Sequence, residues 1–418
     1  MRNIVTYMAE EQRTFAESPF NPVDSLVFAT LAYFNYEVAP GVDLASPDGV
    51  LLHDVVMLSD WEALTAHSWM EDAKDTEAFL HVLSASRRMR DVRASFYANE
   101  RSEIVEKQFS AVTLTFPAAD GEVAYLAYRG TDGSFAGWKE DFNMAFERDV
   151  PSQVSARAYL ERVAPTVRGR IYVGGHSKGG NLAAYVASTC SPEVAGRLER
   201  VFSHDGPGFT AESLAASSWR ERARLVSKTV PRSSLIGMLF EQQEDYSVVD
   251  SSTVGILQHD PFSWVVEGCD FVRVKGIARG AAALDETLNQ WISSMTVEER
   301  EGFVNTLFSV LYASGEDTFA SMAGNLQTTL PAMLDSLAAT DPEERRYLTR
   351  AVSLLLRAFV PEVSLPEVTL PEVALPESLA VLQSEGTALL ARARARAEGA
   401  VGADATQVAG TSGATDDA

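Results

Sequence analysis

The chain has 418 residues, of which 46% are hydrophobic, and this is enough to bury one large domain with helical additions. Its formal net charge of −23 at pH 7 argues against a nucleic-acid partner, because nucleic-acid binders usually present a basic face. The two cysteines, Cys190 and Cys269, belong to no CxxC or Cys/His cluster, so we expect neither a disulfide framework nor a metal site.

Residues 1–100 are predicted to form an N-terminal helical segment. The first residues lack the apolar run of a signal peptide, and no apolar stretch of the chain is long enough to span a bilayer. We therefore expect a soluble, cytoplasmic protein without an integral membrane segment. The apolar stripe over residues 24–34 predicts a helix with Asp24 as its N-cap. Residues 61–74 and 75–90 are further helical candidates.

Residues 101–275 show the pattern of an α/β core. Residues 109–116 alternate and are rich in β-branched side chains, which is typical of a strand, and a turn at residues 118–121 leads to a paired strand at 123–128. Further strands are predicted at residues 171–173, 201–203, 225–227 and 246–249, and helices at 138–146, 152–163 and 182–187. Strands that alternate with helices predict a largely parallel, buried sheet.

Residues 276–360 are predicted to be helical again. One helix covers residues 284–295, and a capping-box signature at Thr296 opens the next, through about residue 313. Asp341 would cap a third helix. Residues 361–377 repeat Pro-Glu-Val every five residues, which forbids a regular helix and favours an extended spacer, with docking on a protein partner as the second interpretation. Residues 378–418 are predicted to hold one more helix and a disordered tail.

The segment that carries chemistry is Gly175-His176-Ser177-Lys178-Gly179, a G-x-S-x-G pentapeptide. An apolar strand runs into it and an apolar helix runs out, which is the setting of a nucleophile elbow. The sharp turn would place the Ser177 hydroxyl at the top of the sheet and at a helix N-terminus, where developing negative charge is favoured. The alternative, a glycine-rich turn of a nucleotide site, lacks a GxGxxG or Walker pattern.

A serine nucleophile needs a base and an acid, which follow it in the chain in this fold. Of the histidines after Ser177, His204 ends the next strand and leaves no room for an intervening acid, whereas His259 lies in a loop after the last sheet-like segment. His259 is therefore the predicted base. Asp205 follows a strand and is the favoured acid, with Asp250 as the alternative. The usual acid position, after residues 225–227, offers no carboxylate.

The oxyanion hole needs two N–H donors. One should be Lys178, the residue after the nucleophile, and the other should come from the loop after residues 123–128, where Thr131 would give its N–H and its hydroxyl. The Lys178 side chain has three interpretations: an ion pair with Asp132 or Asp141 that holds this loop, contact with an anionic substrate, or simple solvation.

Three segments resemble class 3 (fungal-type) lipases, although a leucine is usual where Lys178 stands. They are the oxyanion loop at residues 128–132 with Trp138 and Asp141, the elbow at residues 175–180 and the histidine segment at residues 258–264. A closer resemblance is to the Mbeg-like proteins, a bacterial α/β-hydrolase-like group of unknown function. It rests on residues 3–5, 21–26, 175–183, 204–209 and 258–264.

The resemblance covers roughly residues 1–340 and implies an α/β-hydrolase fold with a serine-hydrolase site, without supplying a substrate. From the residues and the resemblance together we predict a hydrolase of a small-molecule ester or acyl lipid. It would use a Ser177–Asp205–His259 triad and an acyl-enzyme, with no metal or organic cofactor. The alternative is a catalytically idle scaffold that binds a protein partner.

Overall fold

A mixed sheet forms the centre of the fold. A computed structural model describes residues 1–39, 47–66, 73–215, 217–240, 245–318, 321–322, 325–342, 345 and 348. In this part of the chain, eight strands form one sheet in chain order from edge to edge. They are β1 (Val50–Leu51), β2 (Arg93–Ser102), β3 (Lys107–Ala118), β4 (Gly121–Tyr128), β5 (Arg170–His176), β6 (Leu198–His204), β7 (Val226–Pro231) and β8 (Tyr246–Val249). A separate hairpin pairs β9 (Val266–Glu267) with β10 (Asp270–Phe271).

The sheet has two halves of different direction. Strands β1 to β4 pair antiparallel, and strands β4 to β8 pair parallel. Parallel strands end at the same edge of a sheet, so the loops that follow β4 to β7 converge there. This arrangement confirms the predicted α/β class and places Thr131, Ser177 and Asp205, which follow β4, β5 and β6, at one edge.

Helices cover the sheet and extend beyond it. The helices before β5 are α1 (Ile4–Glu10), α2 (Pro22–Leu31), α3 (Leu52–Leu58), α4 (Trp61–Thr65), α5 (Ala73–Ala85), α6 (Phe135–Asn143) and α7 (Pro151–Val163). Those after β5 are α8 (Lys178–Thr189), α9 (Pro192–Ala195), α10 (Ala211–Leu214), α11 (Ser217–Arg222), α12 (Arg279–Ser293), α13 (Val297–Tyr312) and α14 (Leu326–Ala339). The capping box predicted at Thr296 is present at the start of α13.

Two apolar layers sandwich the sheet. On one face, α1 and α2 contribute to the apolar cluster, and Phe28 of α2 packs against Phe116 and Tyr125 of the sheet. On the other face α7 and α8 pack on the same strands, with Leu182 fully buried. A third cluster joins α6 to α12 and α13. The described residues belong to one compact unit, which spans Met1–Pro361.

The start of α2 corrects one prediction. Its N-cap is Asn21, whose side chain accepts hydrogen bonds from Val23 and Asp24, and the Asp24 carboxylate accepts the Asn21 N–H in return. Asp24 is thus the third residue of the helix, where a carboxylate completes a capping box. Proline at the first helical position, here Pro22, is compatible with a cap at Asn21, because its missing N–H would have no partner within the helix.

Other boundaries also differ from the sequence analysis. Within the segment predicted as helical, β2 begins at Arg93 and pairs with β3, and β1 pairs with β2. Helix α14 lies within residues 276–360, which were predicted to be helical, but no separate helix was assigned to residues 326–339. Most of the third C-terminal helix, the Pro-Glu-Val repeat at residues 361–377 and the segment 378–418 lie outside the described residues. None of the helices in the described part of the chain is long and apolar enough to cross a membrane.

Candidate active site

The turn from β5 to α8 holds Ser177 in a strained conformation. Its backbone has φ 57° and ψ −132°, outside the regions that most residues with a side chain adopt. The two flanking glycines are required by contact, because a Cβ on Gly175 would lie 2.5 Å, and one on Gly179 2.1 Å, from the Tyr128 carbonyl oxygen. The sharp turn leaves Ser177 half-buried at the sheet edge, before the first turn of α8.

Asp205 and His259 meet at the same edge. Asp205 directly follows β6 with φ 51°, and His259 ends the short 3-10 helix Gly255–His259. The Asp205 Oδ2 atom lies 2.6 Å from His259 Nδ1, although the two residues are 54 positions apart in the chain. A carboxylate only accepts, so Nδ1 carries the proton and the Nε2 atom of a neutral His259 is left to accept one.

The Asp205 carboxylate is fully buried and its two oxygens have separate partners. Oδ2 faces His259, and Oδ1 accepts a hydrogen bond from the Ser234 hydroxyl. The Asp205 N–H donates to the Thr229 carbonyl at 2.8 Å. Gly237 must lack a side chain, because a Cβ there would lie 2.2 Å from Oδ1. These contacts hold the carboxylate in one orientation toward the imidazole.

His176, the residue before Ser177, bonds to the backbone of His259. Its Nε2 lies 2.8 Å from the His259 carbonyl oxygen, and the two ring centroids are 4.5 Å apart. Since a carbonyl only accepts, Nε2 of His176 carries a proton. Burial, with the nearby His259, lowers the pKa of His176 well below its ordinary value, so the ring is neutral. The neutral His176 ring therefore joins the elbow to the histidine loop, which is the segment of residues 258–264 that carries His259.

The histidine loop is anchored at further points. The Trp264 indole N–H donates to the Gln258 carbonyl at 2.8 Å, and the Gln258 side chain bonds to Ser233 and Thr253. The Asn3 amide, which also caps α1, donates to the Phe262 carbonyl at 3.0 Å. The N-terminal segment thus supports the loop that carries His259.

His204, which was set aside as the base, and Asp250, which was the alternative acid, have other environments. His204 lies in the core with Nε2 2.9 Å from the Ser25 hydroxyl, and burial lowers its pKa to about 3. The Asp250 Oδ1 atom accepts the N–H of Ser251 at 3.1 Å. The carboxylate that the structure brings to the His259 ring is that of Asp205.

The loop after β4 packs against the elbow. A Cβ on Gly130 would lie 2.7 Å from the His176 carbonyl oxygen and 3.1 Å from the Ser177 Cβ atom. The next residue, Thr131, is buried, and its hydroxyl donates to Asp141 Oδ2. This hydroxyl is engaged away from the oxyanion position that the sequence analysis gave it, which leaves the Thr131 N–H as the candidate donor.

The Lys178 side chain runs into the protein interior rather than to solvent. Its ammonium group lies 3.0 Å from Glu140 Oε2 and 3.5 Å from Asp141 Oδ1, and it donates to the Gln108 carbonyl at 3.1 Å. Of the two partners considered from the sequence, Asp141 is in contact, whereas Asp132 lies 4.0 Å from Arg129. Glu140, the nearer partner, was not foreseen.

The cluster formed by Lys178, Glu140 and Asp141 holds more acidic than basic groups. Burial by itself would lower the pKa of Lys178, but the Glu140 and Asp141 carboxylates outweigh it and raise that pKa, so the ammonium group stays charged. Burial raises the pKa of Asp141 to about 6, against the opposing effect of Lys178. One cation thus faces two carboxylates.

Three contributors to the site were missed by sequence reasoning. Ser234, Glu140 and His176 carry no motif that assigns them a contact, although Ser234 follows the strand at which a carboxylate was sought. A hydroxyl side chain shortly after a strand end is the signal that would have drawn attention to Ser234, whereas Glu140 lies within helix α6 and gives no such signal. Among the described residues, no group of three or more His, Cys, Asp or Glu side chains could hold a metal ion.

Comparisons with known proteins found one matching family model and several similar solved structures. A family model described as Mbeg1-like matches residues 83–309. Among solved structures, the chain is similar to the Lip2 lipase from Yarrowia lipolytica, with 14% identity, coverage of 63% of this chain and 88% of that chain, and a TM-score of 0.33. It is also similar to M37 lipase, with 13% identity, coverage of 52% and 68%, and a TM-score of 0.31. No curated protein matches the chain.

Proposed function

The chain belongs to the Mbeg1-like family, and from the geometry of its site we propose that it is a serine hydrolase acting on an ester or acyl-lipid substrate. The observation that carries the proposal is the 2.6 Å contact between Asp205 and His259, in a loop bonded to the residue before Ser177. A strained serine, a histidine and a buried carboxylate at one sheet edge are the parts of a nucleophilic triad.

In the proposed reaction, the Ser177 oxygen attacks the acyl carbon while His259 Nε2 takes the hydroxyl proton. The Asp205 carboxylate stabilises the imidazolium that forms. The C–O bond to the leaving alcohol then breaks, and the imidazolium returns the proton to that alcohol. Water repeats the sequence on the acyl-enzyme, releasing the acid and restoring the serine.

The charge that develops on the acyl oxygen needs donors. We propose the N–H groups of Thr131 and Lys178, the second of which lies at the start of α8, where free N–H groups and the helix dipole favour an anion. His176 supports this chemistry as a neutral neighbour, because a charged ring at 4.5 Å would oppose formation of the His259 imidazolium.

The test is covalent labelling with a fluorophosphonate probe. Wild-type protein should be labelled, and Ser177→Ala should not be. Asp205→Asn should slow labelling by about four orders of magnitude, because the imidazole loses its orienting and stabilising partner. Asp250→Asn serves as the matched control and should label like wild type.

The opposite results have clear meanings. A wild-type chain that is not labelled, or labelling that survives in Ser177→Ala, would reject the hydrolase and favour the scaffold alternative. An effect of Asp250→Asn larger than that of Asp205→Asn would transfer the acid role to Asp250.

A further inference from the structure

We propose that Lys178 is a positioning residue whose buried ammonium group holds the nucleophile elbow and the oxyanion loop at a fixed separation. The inference rests on the proposed serine hydrolase and deepens it, because it assigns a task to a side chain that the reaction itself does not use.

Lys178 connects the elbow to two other elements. Its backbone follows Ser177 directly, while its side chain, 1% exposed, reaches the start of strand β3 and helix α6. There it donates to the Gln108 carbonyl and pairs with Glu140. Glu140 is fully buried and also accepts the N–H groups of Gln108 at 2.9 Å and Ser152 at 2.7 Å. The ammonium group therefore binds to a site that is itself rigidly held.

The same cluster reaches the oxyanion loop by two routes. Asp141, 3.5 Å from the Lys178 ammonium, accepts the Thr131 hydroxyl. The Gln108 side-chain oxygen, 3.4 Å from that ammonium, accepts the N–H of Asp132 at 3.4 Å. Consequently one ammonium group connects both residues proposed as oxyanion donors: it belongs to Lys178 itself, and it reaches the Thr131 loop through Asp141 and Gln108. These side-chain bonds add to the pairing of β4 with β5, which brings the two chain segments side by side before the elbow and the loop begin.

The physical reason for a charge here is directionality. An apolar side chain of similar length would fill the space, but it would make no bond to α6 or to β3. Burial of an ammonium group is unfavourable unless it is paired and fully hydrogen-bonded, and Lys178 has partners on both elements. Small displacements of preorganised donors weaken transition-state stabilisation more than ground-state binding.

The experiment measures transition-state stabilisation and ground-state binding separately, with the fluorophosphonate probe. Ser177 Oγ attacks phosphorus, His259 accepts the proton, the P–F bond breaks and fluoride leaves, with negative charge on the phosphoryl oxygen in the transition state. The first-order rate of bond formation, kinact, reports the oxyanion hole, and the half-saturating probe concentration, KI, reports initial binding.

Lys178→Met keeps the length of the side chain and removes the charge. We expect kinact to fall by about ten- to a hundredfold while KI stays within about twofold, since oxyanion-hole defects act in the transition state. Arg88→Met is the matched control, because it breaks a buried ion pair with Asp24 away from the site. In protein that remains folded at the assay temperature, its kinact should equal that of wild type.

A second variant protects the test against simple unfolding. Lys178→Met with Asp141→Asn removes the cation and one of the two carboxylates that faced it, so Tm should recover toward wild type relative to Lys178→Met alone, while kinact stays low. Recovery of kinact together with Tm, or an unchanged kinact in Lys178→Met, would overturn the positioning role. A wild-type chain without Ser177-dependent labelling would overturn the proposed function and this inference together, so the two failures are distinguishable.

Discussion

Two buried ion pairs of this protein are built differently. Arg88 binds both oxygens of Asp24, at 2.7 and 2.6 Å, and both side chains are fully buried. Its remaining N–H groups donate to the carbonyls of Arg13, Ser18 and Pro19. This pair joins helix α2 to the segment before β2. It has one charge of each sign, and each nitrogen of the guanidinium group donates at least one hydrogen bond.

The pair beside Ser177 is unbalanced. Lys178 faces Glu140 and Asp141 together, and the pKa of Asp141 is raised to about 6. A buried charge without an opposite partner is unfavourable, so the second carboxylate beside Lys178 is a cost to stability that the Arg88 pair does not carry. An excess carboxylate kept next to a proposed oxyanion loop indicates that position, rather than stability, determines this cluster.

The largest expected effect is on the balanced pair. Arg88→Met leaves the Asp24 carboxylate buried without its cation and should lower the free energy of unfolding by about 3–5 kcal/mol. Urea denaturation followed by tryptophan fluorescence measures this. A loss below about 1 kcal/mol would mean that the pair is worth no more than an exposed one, and the contrast drawn above would fail.

In the cluster around Lys178, removing a charge should instead raise the free energy of unfolding, and Asp141 is the residue at which this is expected. Its folded-state pKa of about 6 lies above the ordinary 3.8, so the folded protein favours the protonated carboxyl. The stability that the protonated Asp141 carboxyl contributes is fully present below about pH 4 and is lost as the pH rises through 6. Asp141→Asn cannot ionise and should be about 1–3 kcal/mol more stable than wild type at pH 7, with the gain vanishing toward pH 4.

Denaturation of both proteins between pH 4 and pH 8 measures that dependence. A variant that is less stable than wild type at pH 7 would show that the bond from Thr131 and the attraction to Lys178 outweigh the burial of the charge.

A smaller effect is expected at Ser234, which belongs to neither pair. Ser234→Ala removes the hydroxyl that donates to Asp205 Oδ1, and it should cost about 1 kcal/mol of stability. Labelling should slow by about tenfold, since the bond acts on Asp205 and only indirectly on His259. Thr229→Ser, which keeps the backbone carbonyl bonded to Asp205, is the control. Unchanged labelling of Ser234→Ala would show that the remaining contacts suffice to orient the carboxylate.

The smallest effect concerns the N-terminal support of the histidine loop. Asn3→Ala removes the cap of α1 and the bond to the Phe262 carbonyl, and should cost about 1 kcal/mol. Faster amide hydrogen exchange in residues 258–264 is the specific sign of a loosened loop. Exchange that speeds up only in α1 would show that Asn3 caps its helix and does nothing for the loop.

Local pattern was sufficient for much of the fold. Period-two alternation located β3, the apolar run before the G-x-S-x-G pentapeptide located β5, and the capping box located the start of α13. These features arise from neighbours in the chain, so the chain displays them directly. Strand β2 was missed because its pairing with β3 across a bulge, and not its own alternation, makes it a strand.

The candidate site likewise has one part that local sequence predicts and another that depends on tertiary contacts. The sequence by itself determined that Ser177 lies on a strand-to-helix turn and that His259 and Asp205 lie in loops after strands, because glycine spacing and chain order constrain these positions. Only the tertiary structure decided that Asp205, and not Asp250, meets the imidazole, and that Lys178 turns inward to Glu140. Those contacts join residues 38 to 54 positions apart. They depend on how parallel strands bring their ends to one edge of the sheet, which no local pattern of residues records.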